Sequence, residues 1–177
     1  MTEKEFVILV DETDFPTGKM EKMEAHRKGE LHRAFSVFIF NSRGELMMQQ
    51  RSFSKYHSPG LWTNTCCSHP RVGEYTLAAA HRRMTEEMGF DCKMEEIFSF
   101  TYQADVGNGL TEHEFDHVFI GIYDNPPQIN REEAENWKFM LMADIKKDML
   151  ESPANYTVWF RIAFVEMENY INRIKIK

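Results

Sequence analysis

The segment AFSVFIFNSRGELMMQQR, residues 34–51, constrains the fold more than any other stretch of the chain. AFSVFIF (34–40) is strongly apolar, ELMMQQR (45–51) follows it, and the polar NSRG between them ends in glycine, so the two runs are expected to pair as a hairpin. Before it, FVILVDE (6–12) reads as a strand and DFPTGK (14–19) as a turn led by Asp, Pro and Gly. KMEKMEAHRKGELH (19–32) reads as patchy helix broken at Gly29. After it, EYTLAAAHRRMTEEMGF (74–90) has Leu77, Ala80, Met84 and Met88 near helical spacing and stops at Gly89, which predicts a helix. Strands are expected at about 94–103 and 115–123 and over WKFMLM (137–142), ahead of ADIKKDML (143–150). From Tyr156 to Ile174, Phe160, Phe164, Met167 and Ile171 mark a closing amphipathic helix. With no repeat or linker, this mixture suggests one α+β domain over 1–177, an α/β/α sandwich around a mixed sheet.

Charge narrows the function. The chain carries a net −7, against the broad basic face that nucleic acid requires. Yet from Arg51 to Arg83 the basic residues are Arg51, Lys55, Arg71, Arg82 and Arg83 and the only acid is Glu74, a local +4. Such a segment is either an anion-binding site or a solvated face. No apolar run approaches the roughly 20 residues needed to span a bilayer, and MTEKEFVILVDET lacks the basic start of a secretory signal, so a cytoplasmic protein without membrane contact is expected. Cys66, Cys67 and Cys92 leave an odd thiol under any pairing, so reduced thiols are expected.

Two stretches concentrate chemistry. In TNTCCSHP (63–70), adjacent cysteines stand two residues from a histidine, open to reading as a metal site, a nucleophile or a buried apolar pair. In TEHEFDHV (111–118), strand alternation would point Glu112, Glu114 and Asp116 one way and His113, Phe115 and His117 the other.

The predicted helix then supplies a resemblance. Glu74, Arg82, Glu86, Glu87 and Gly89 fall at the spacing of the Nudix box, with Met84 and Phe90 at its apolar positions. Arg83 and Glu87 lie one turn apart, so a carboxylate able to hold a hard cation and a guanidinium able to hold phosphate share one helix face. Two positions depart from the box: Ser68 stands where it begins with Gly, and Arg83 where hydrolases place a Glu. With PTGKMEKMEAH, LH at 31–32, RSFSK at 51–55, PGLWTNTCCSHP and TEHEFDHVF, the chain resembles the type 1 isopentenyl-diphosphate isomerases.

That resemblance implies an interconversion of isopentenyl and dimethylallyl diphosphate by a 1,3 proton shift. It implies Cys67 and Glu114 as the acid/base pair, assisted by Tyr102, with Trp159 either facing a developing cation or packing in the core. It further implies a metal site of His26, His32, His69, Glu112 and Glu114, suited to Mn²⁺, Zn²⁺ or Mg²⁺. One departure is that His26 and His32 are only six residues apart. A Mg²⁺ would join the diphosphate to Glu87 and the Cys67 carbonyl, with Lys22, Arg51, Lys55 and Arg83 binding the diphosphate. Cys66 is assigned to packing and Cys92 to a buried, inert thiol. His57, His81, His113 and His117 are left as structural or surface residues, and Asp116 either supports the metal ligands or lies on the surface. The partner implied is a small isoprenoid diphosphate, handled by a monomer or homodimer. The alternatives are a Nudix pyrophosphohydrolase, opposed by Arg83, a non-catalytic metal- or diphosphate-binding module, and a cysteine hydrolase built on Cys67 and His69.

Overall fold

The computed structural model describes residues 4–175, so the outermost residues of the expected 1–177 domain lie outside the described residues. The strand β3 (His32–Phe40) is the hub of a nine-stranded mixed sheet. Along its whole length it pairs in parallel with β8 (Leu110–Ile122), from His32 opposite Glu114 to Phe40 opposite Ile122. Its other partners are short: β1 (Phe6–Val10) at Leu9 opposite His32, β6 (Cys66–Ser68) against residues 35–37, and β4 (Glu45–Arg51) at Phe40 opposite Leu46. The 34–51 hairpin therefore forms, closed by Asn41 with Gly44 at φ 79°, but its strands share one ladder pair and then part. β4 continues against β9 (Ala134–Leu141) and β5 (Trp62–Thr63), while β7 (Met94–Gly107) forms a long hairpin with β8.

Alternation along β3 feeds two apolar layers, and these make the expected α/β/α sandwich. Phe35, Val37 and Ile39 pack with Met47 and Cys66 against Ala79, Ala80, Met84 and Met88 of α2 (Thr76–Met88). On the opposite face, Phe38 packs with Leu46, Met48 and Val118 against Trp159, Phe160, Phe164 and Met167 of α4 (Val158–Lys175). Between β9 and α4, α3 (Met142–Glu151) contributes Ile145 to that second layer.

The N-terminal region differs from its sequence reading. Residues 16–19 are not a turn: Pro16–Glu21 forms β2, an edge strand paired with β1, and the turn itself is confined to the residues just before it, with Asp14 at φ 66°. An edge strand tolerates Pro16 and Gly18, so turn chemistry there does not exclude a strand. The patchy helix reduces to α1 (Lys22–Lys28), whose N-terminal amides at Met23 and Glu24 are accepted by the Glu21 carboxylate and whose end is set by Gly29 at φ 65°. The α2 helix starts at Thr76, two residues later than expected. The β8 strand starts at Leu110 rather than 115, because β7 and β8 are joined by the tight turn at Gly107, Asn108 and Gly109, all at positive φ.

Candidate active site

A cleft opens beside β6 and β8, and it collects chemistry from α1, β4 and the loop after it, β6, α2, β7, β8 and α4. The β8 strand provides the carboxylates. As alternation requires, Glu112, Glu114 and Asp116 are buried, whereas His113 bonds Gly29 O and His117 pairs with Asp14 and Glu96 on the outer face. Asp116 is thus not a surface carboxylate. It is 1% exposed, its Oδ2 accepts from the Ser36 hydroxyl at 2.7 Å, and its Oδ1 has no partner among the described residues.

Tyr102, opposite Glu114 on β7, puts its hydroxyl 2.8 Å from Glu112 and 2.7 Å from Glu114. One hydroxyl has one proton, so two such contacts imply a proton shared along the row. Burial, then the neighbouring Glu114 charge, pushes Glu112 up; Glu114 is held well below the usual carboxylate range because His32 and His69 outweigh its own burial. The consistent arrangement is Glu112 donating to Tyr102 and Tyr102 donating to ionised Glu114. Burial and both carboxylates keep the Tyr102 hydroxyl itself protonated.

Beside this row, His26, His32, His69 and Glu114 present ligand atoms that all lie within 4.8 Å of one another. Despite the short spacing, α1 and the turn after it bring His26 and His32 to 4.9 Å between ring centroids. His26 Nδ1–H donates to Lys22 O at 2.7 Å and His32 Nδ1–H to Glu30 O at 2.8 Å, so their Nε2 lone pairs are the ones left to converge. His32 Nε2 is 3.2 Å from His69 Nε2, which is 2.9 Å from Glu114 Oε1. Burial lowers His26 and takes His69 down to about 3, which keeps those two rings neutral. Imidazole nitrogens converging beside an ionised carboxylate, two of them on rings anchored through Nδ1, fit a divalent metal. Glu112 stands next to this group through Tyr102 but is not among the four converging residues.

The cleft's other end is cationic. Arg51 donates to the carbonyls of Ser58 and His57, both at 3.2 Å, and lies 5.0 Å over the Trp159 ring. Lys55 pairs with Glu133, and Lys22 with Glu5 at 2.9 Å. Arg83 touches Glu86 and Glu87, both at 2.6 Å, and Glu133 at 3.2 Å. Glu87 also accepts from Gln49 at 2.9 Å. The rest of the box is structural: Arg82 grips Glu74 through two 2.8 Å bonds, tying α2 to the loop before it.

On β6 the two cysteines separate. Cys66 is fully buried in the α2 layer, while Cys67 lines the cleft. Burial pushes the Cys67 thiol up, Glu87, Glu112 and Glu114 push it further, and Arg51 only partly opposes them. Trp159 packs in the α4 core and lines the cleft as well, its indole N–H donating to Thr63 at 3.1 Å. Two sequence assignments change. His57 faces the cleft, 3.8 Å from Glu112 and edge-on to Trp159 at 5.5 Å, because the SPG turn folds its loop back under Arg51. Cys92 is half-buried rather than fully buried, its thiol raised to about 11 by burial and by Asp91.

The family model for the NUDIX domain matches residues 30–160. The isopentenyl-diphosphate Delta-isomerase of Pectobacterium atrosepticum is 52% identical over 169 residues, covering 96% of this chain and 94% of that protein. The protein of the same name from Serratia proteamaculans is 53% identical over 156 residues, covering 88% and 87%. Among solved structures, DR0079 from Deinococcus radiodurans aligns with a TM-score of 0.67 at 22% identity, over 81% of this chain and 90% of that one. The MutT protein from Methanosarcina mazei Go1 aligns at 0.66 and 16% identity, over 82% and 96%. These structures share the fold.

Proposed function

The chain belongs to the isopentenyl-diphosphate Delta-isomerases, within the NUDIX fold, and on that premise we propose that Cys67 and Glu114 are the proton carriers of its reaction. The enzyme interconverts isopentenyl and dimethylallyl diphosphate: one proton is added at the terminal alkene carbon and one is lost from the carbon on the far side, with no net change in atoms. Protonating an unactivated alkene builds tertiary carbocation character. The site therefore needs an acid, a base and no nucleophile free to trap the cation.

The observation that carries this assignment is the grouping of a raised thiol, the Tyr102–Glu112–Glu114 row and a cationic end in one cleft. A thiol held protonated carries a proton at the site and is a poor nucleophile, which opposes a cysteine hydrolase. Its raised affinity for that proton makes it a weak acid by itself, so its assignment rests on its place in the cleft. Ionised Glu114 is the base, and Tyr102 moves its proton between Glu114 and Glu112. The Trp159 ring edges the space where positive charge develops, held by its indole N–H bond to Thr63 with Arg51 5.0 Å over the ring.

At the other end, Arg51, Lys55, Arg83 and Lys22 bind the diphosphate, a contact remote from the reacting carbons that holds the alkene between its proton carriers. His26, His32, His69 and Glu114 would hold Mn²⁺, Mg²⁺ or Zn²⁺, with Glu112 joining them only on giving up its proton, and Glu87 with the Cys67 carbonyl would hold Mg²⁺. These ions, when bound, supply positive charge that orients Glu114 and offsets the diphosphate. No helix among the described residues is long and apolar enough to cross a membrane, and a cytoplasmic enzyme accords with that.

The test is incubation with isopentenyl diphosphate and Mg²⁺ in D₂O, followed by NMR. Deuterium in dimethylallyl diphosphate is the expected result. Phosphate release from nucleoside diphosphate compounds, without isomerisation, would favour the pyrophosphohydrolase.

A further inference from the structure

Lys55 and Arg83 stand on different elements, the loop after β4 and the helix α2, yet one carboxylate joins them. Glu133, just before β9, accepts from Lys55 Nζ with Oε2 and lies 3.2 Å from Arg83 Nη2 with Oε1. Its side chain is about one-fifth exposed, at 21%.

The main chain around Glu133 is pinned. Its amide donates to Asn130 O at 3.0 Å, its carbonyl accepts from the Ser52 amide at 3.0 Å, and Ala134 pairs with Arg51. Ser52 O in turn accepts from the Lys55 amide at 3.2 Å. Glu133 thus grips the Lys55 loop twice, by main chain at Ser52 and by side chain at Lys55. The preceding turn is docked on the end of α2: the Gln128 amide donates to Met88 O at 3.0 Å and the Asn130 amide to Glu87 O at 2.9 Å. A Cβ on Gly89 would stand 2.2 Å from Gln128 O, so this approach depends on glycine.

We propose that Glu133 is a positioning residue for the diphosphate end, setting the spacing of Lys55 and Arg83; this rests on the reading of those two residues as diphosphate anchors. Two cations facing one another repel, and a lysine stem without a partner samples many rotamers that substrate would have to freeze. A fixed carboxylate between them removes that ordering from the binding step. The Lys55 ammonium keeps two further N–H donors for phosphate. A carboxylate here also repels the diphosphate, which opposes the gain from ordering. The pinned main chain and the division of its two oxygens between two anchors decide for positioning.

Steady-state kinetics on Glu133→Gln, Glu133→Asp, Lys55→Ala and the Glu133→Gln/Lys55→Ala double variant test this. Glu133→Gln should raise KM for isopentenyl diphosphate about tenfold with kcat within about threefold, since only binding geometry is lost. Glu133→Asp keeps the charge but shortens the reach, so KM should rise about threefold, and this variant decides the matter should the Gln form fold poorly. The double variant should lose clearly less than the sum of the two single losses, because Glu133 acts in part through Lys55 and in part through Arg83. Calorimetric titration with inorganic pyrophosphate and Mg²⁺ should show the same losses without turnover. A KM for Glu133→Gln that falls or stays at wild type, a wild-type KM for Glu133→Asp, or additive losses would overturn the proposal. If Lys55→Ala itself leaves KM unchanged, the anchor reading falls and this proposal falls with it.

Discussion

Tyr102→Phe removes one oxygen and leaves the ring, so it isolates the proton row from the packing around it. That oxygen makes two contacts, 2.8 Å to Glu112 and 2.7 Å to Glu114, in a strand pair buried against α4. Hydrogen bonds to charged groups contribute about 1.5–3 kcal/mol, and only one of these contacts has an ionised acceptor. The expected loss of stability is therefore about 1–3 kcal/mol, or roughly 3–10 °C in Tm for a chain of this size. Catalysis should lose more. With the bridge gone, Glu112 and Glu114 cannot exchange a proton, and placed proton transfer typically contributes about 10²–10⁴-fold. The expectation is a kcat lower by about 10²-fold, with KM nearly unchanged because the cationic end of the cleft is untouched. The assay is initial-rate NMR of dimethylallyl diphosphate formation beside a thermal melt. A kcat within threefold of wild type would refute the relay, and a KM that rises with kcat unchanged would move Tyr102 to a substrate-binding role.

Cys67→Ala should abolish isomerisation while pyrophosphate still binds, and Cys66→Ala should retain most activity, losing mainly stability from the α2 core; the reverse pattern would place the reactive thiol one residue out of register. In metal-free protein, iodoacetamide should label Cys67 and Cys92 slowly near neutral pH and faster by about tenfold per pH unit, because raised thiols offer little thiolate. Rapid labelling of Cys67 at pH 7, followed by peptide mapping, would contradict the protonated-thiol reading. His57 and His69 are held down to about 3 by burial, so the unfolded chain binds protons that the folded one refuses, and metal-free stability should fall as pH drops from about 6.5 toward 3. Mn²⁺ added back after chelation should raise Tm at pH 7.5 and lose that effect only as pH falls toward 3, where protons compete for the His69 nitrogen; no rise in Tm at pH 7.5 would place the ion elsewhere.

What the sequence reveals follows from how local each signal is. Alternation in TEHEFDHV is a property of the strand itself, and it places Glu112, Glu114 and Asp116 on one face without tertiary help. The α2 helix is equally local, since its apolar spacing and Gly89 both lie within the segment. The strand at Pro16–Glu21 is not, because its hydrogen bonds come from β1 and its residues favour a turn when read alone. His57 carries no local signal: its place beside Glu112 depends on a loop folded back by Arg51. Glu133 is likewise unremarkable in NREEAEN until β9 sets it opposite Lys55, and the depth of Asp116 depends on the parallel pairing with β3.

The exchange of a carboxylate for Arg83 explains how this cleft can hold a diphosphate without a hydrolase's means of cutting it. Carboxylates crowded on one helix face repel one another and gather cations, which suits the activation of water. Here the guanidinium occupies that face, contacting Glu86 and Glu87, and the remaining Glu87 oxygen is taken by Gln49. Burial disfavours the Arg83 charge, yet Glu87 and Glu133 hold it firmly on, so the residue stays cationic throughout. Its effect is to cancel part of the negative charge that would otherwise repel a diphosphate, while leaving α2 one inward carboxylate, Glu87, among the described residues. The proton carriers proposed above, with Tyr102, stand instead on β6, β7 and β8. On that proposal binding falls to Arg83 on α2, Arg51 at the end of β4, Lys55 in the loop after it and Lys22 on α1, so variants there should act on KM, and variants at Cys67, Tyr102 and Glu114 on kcat.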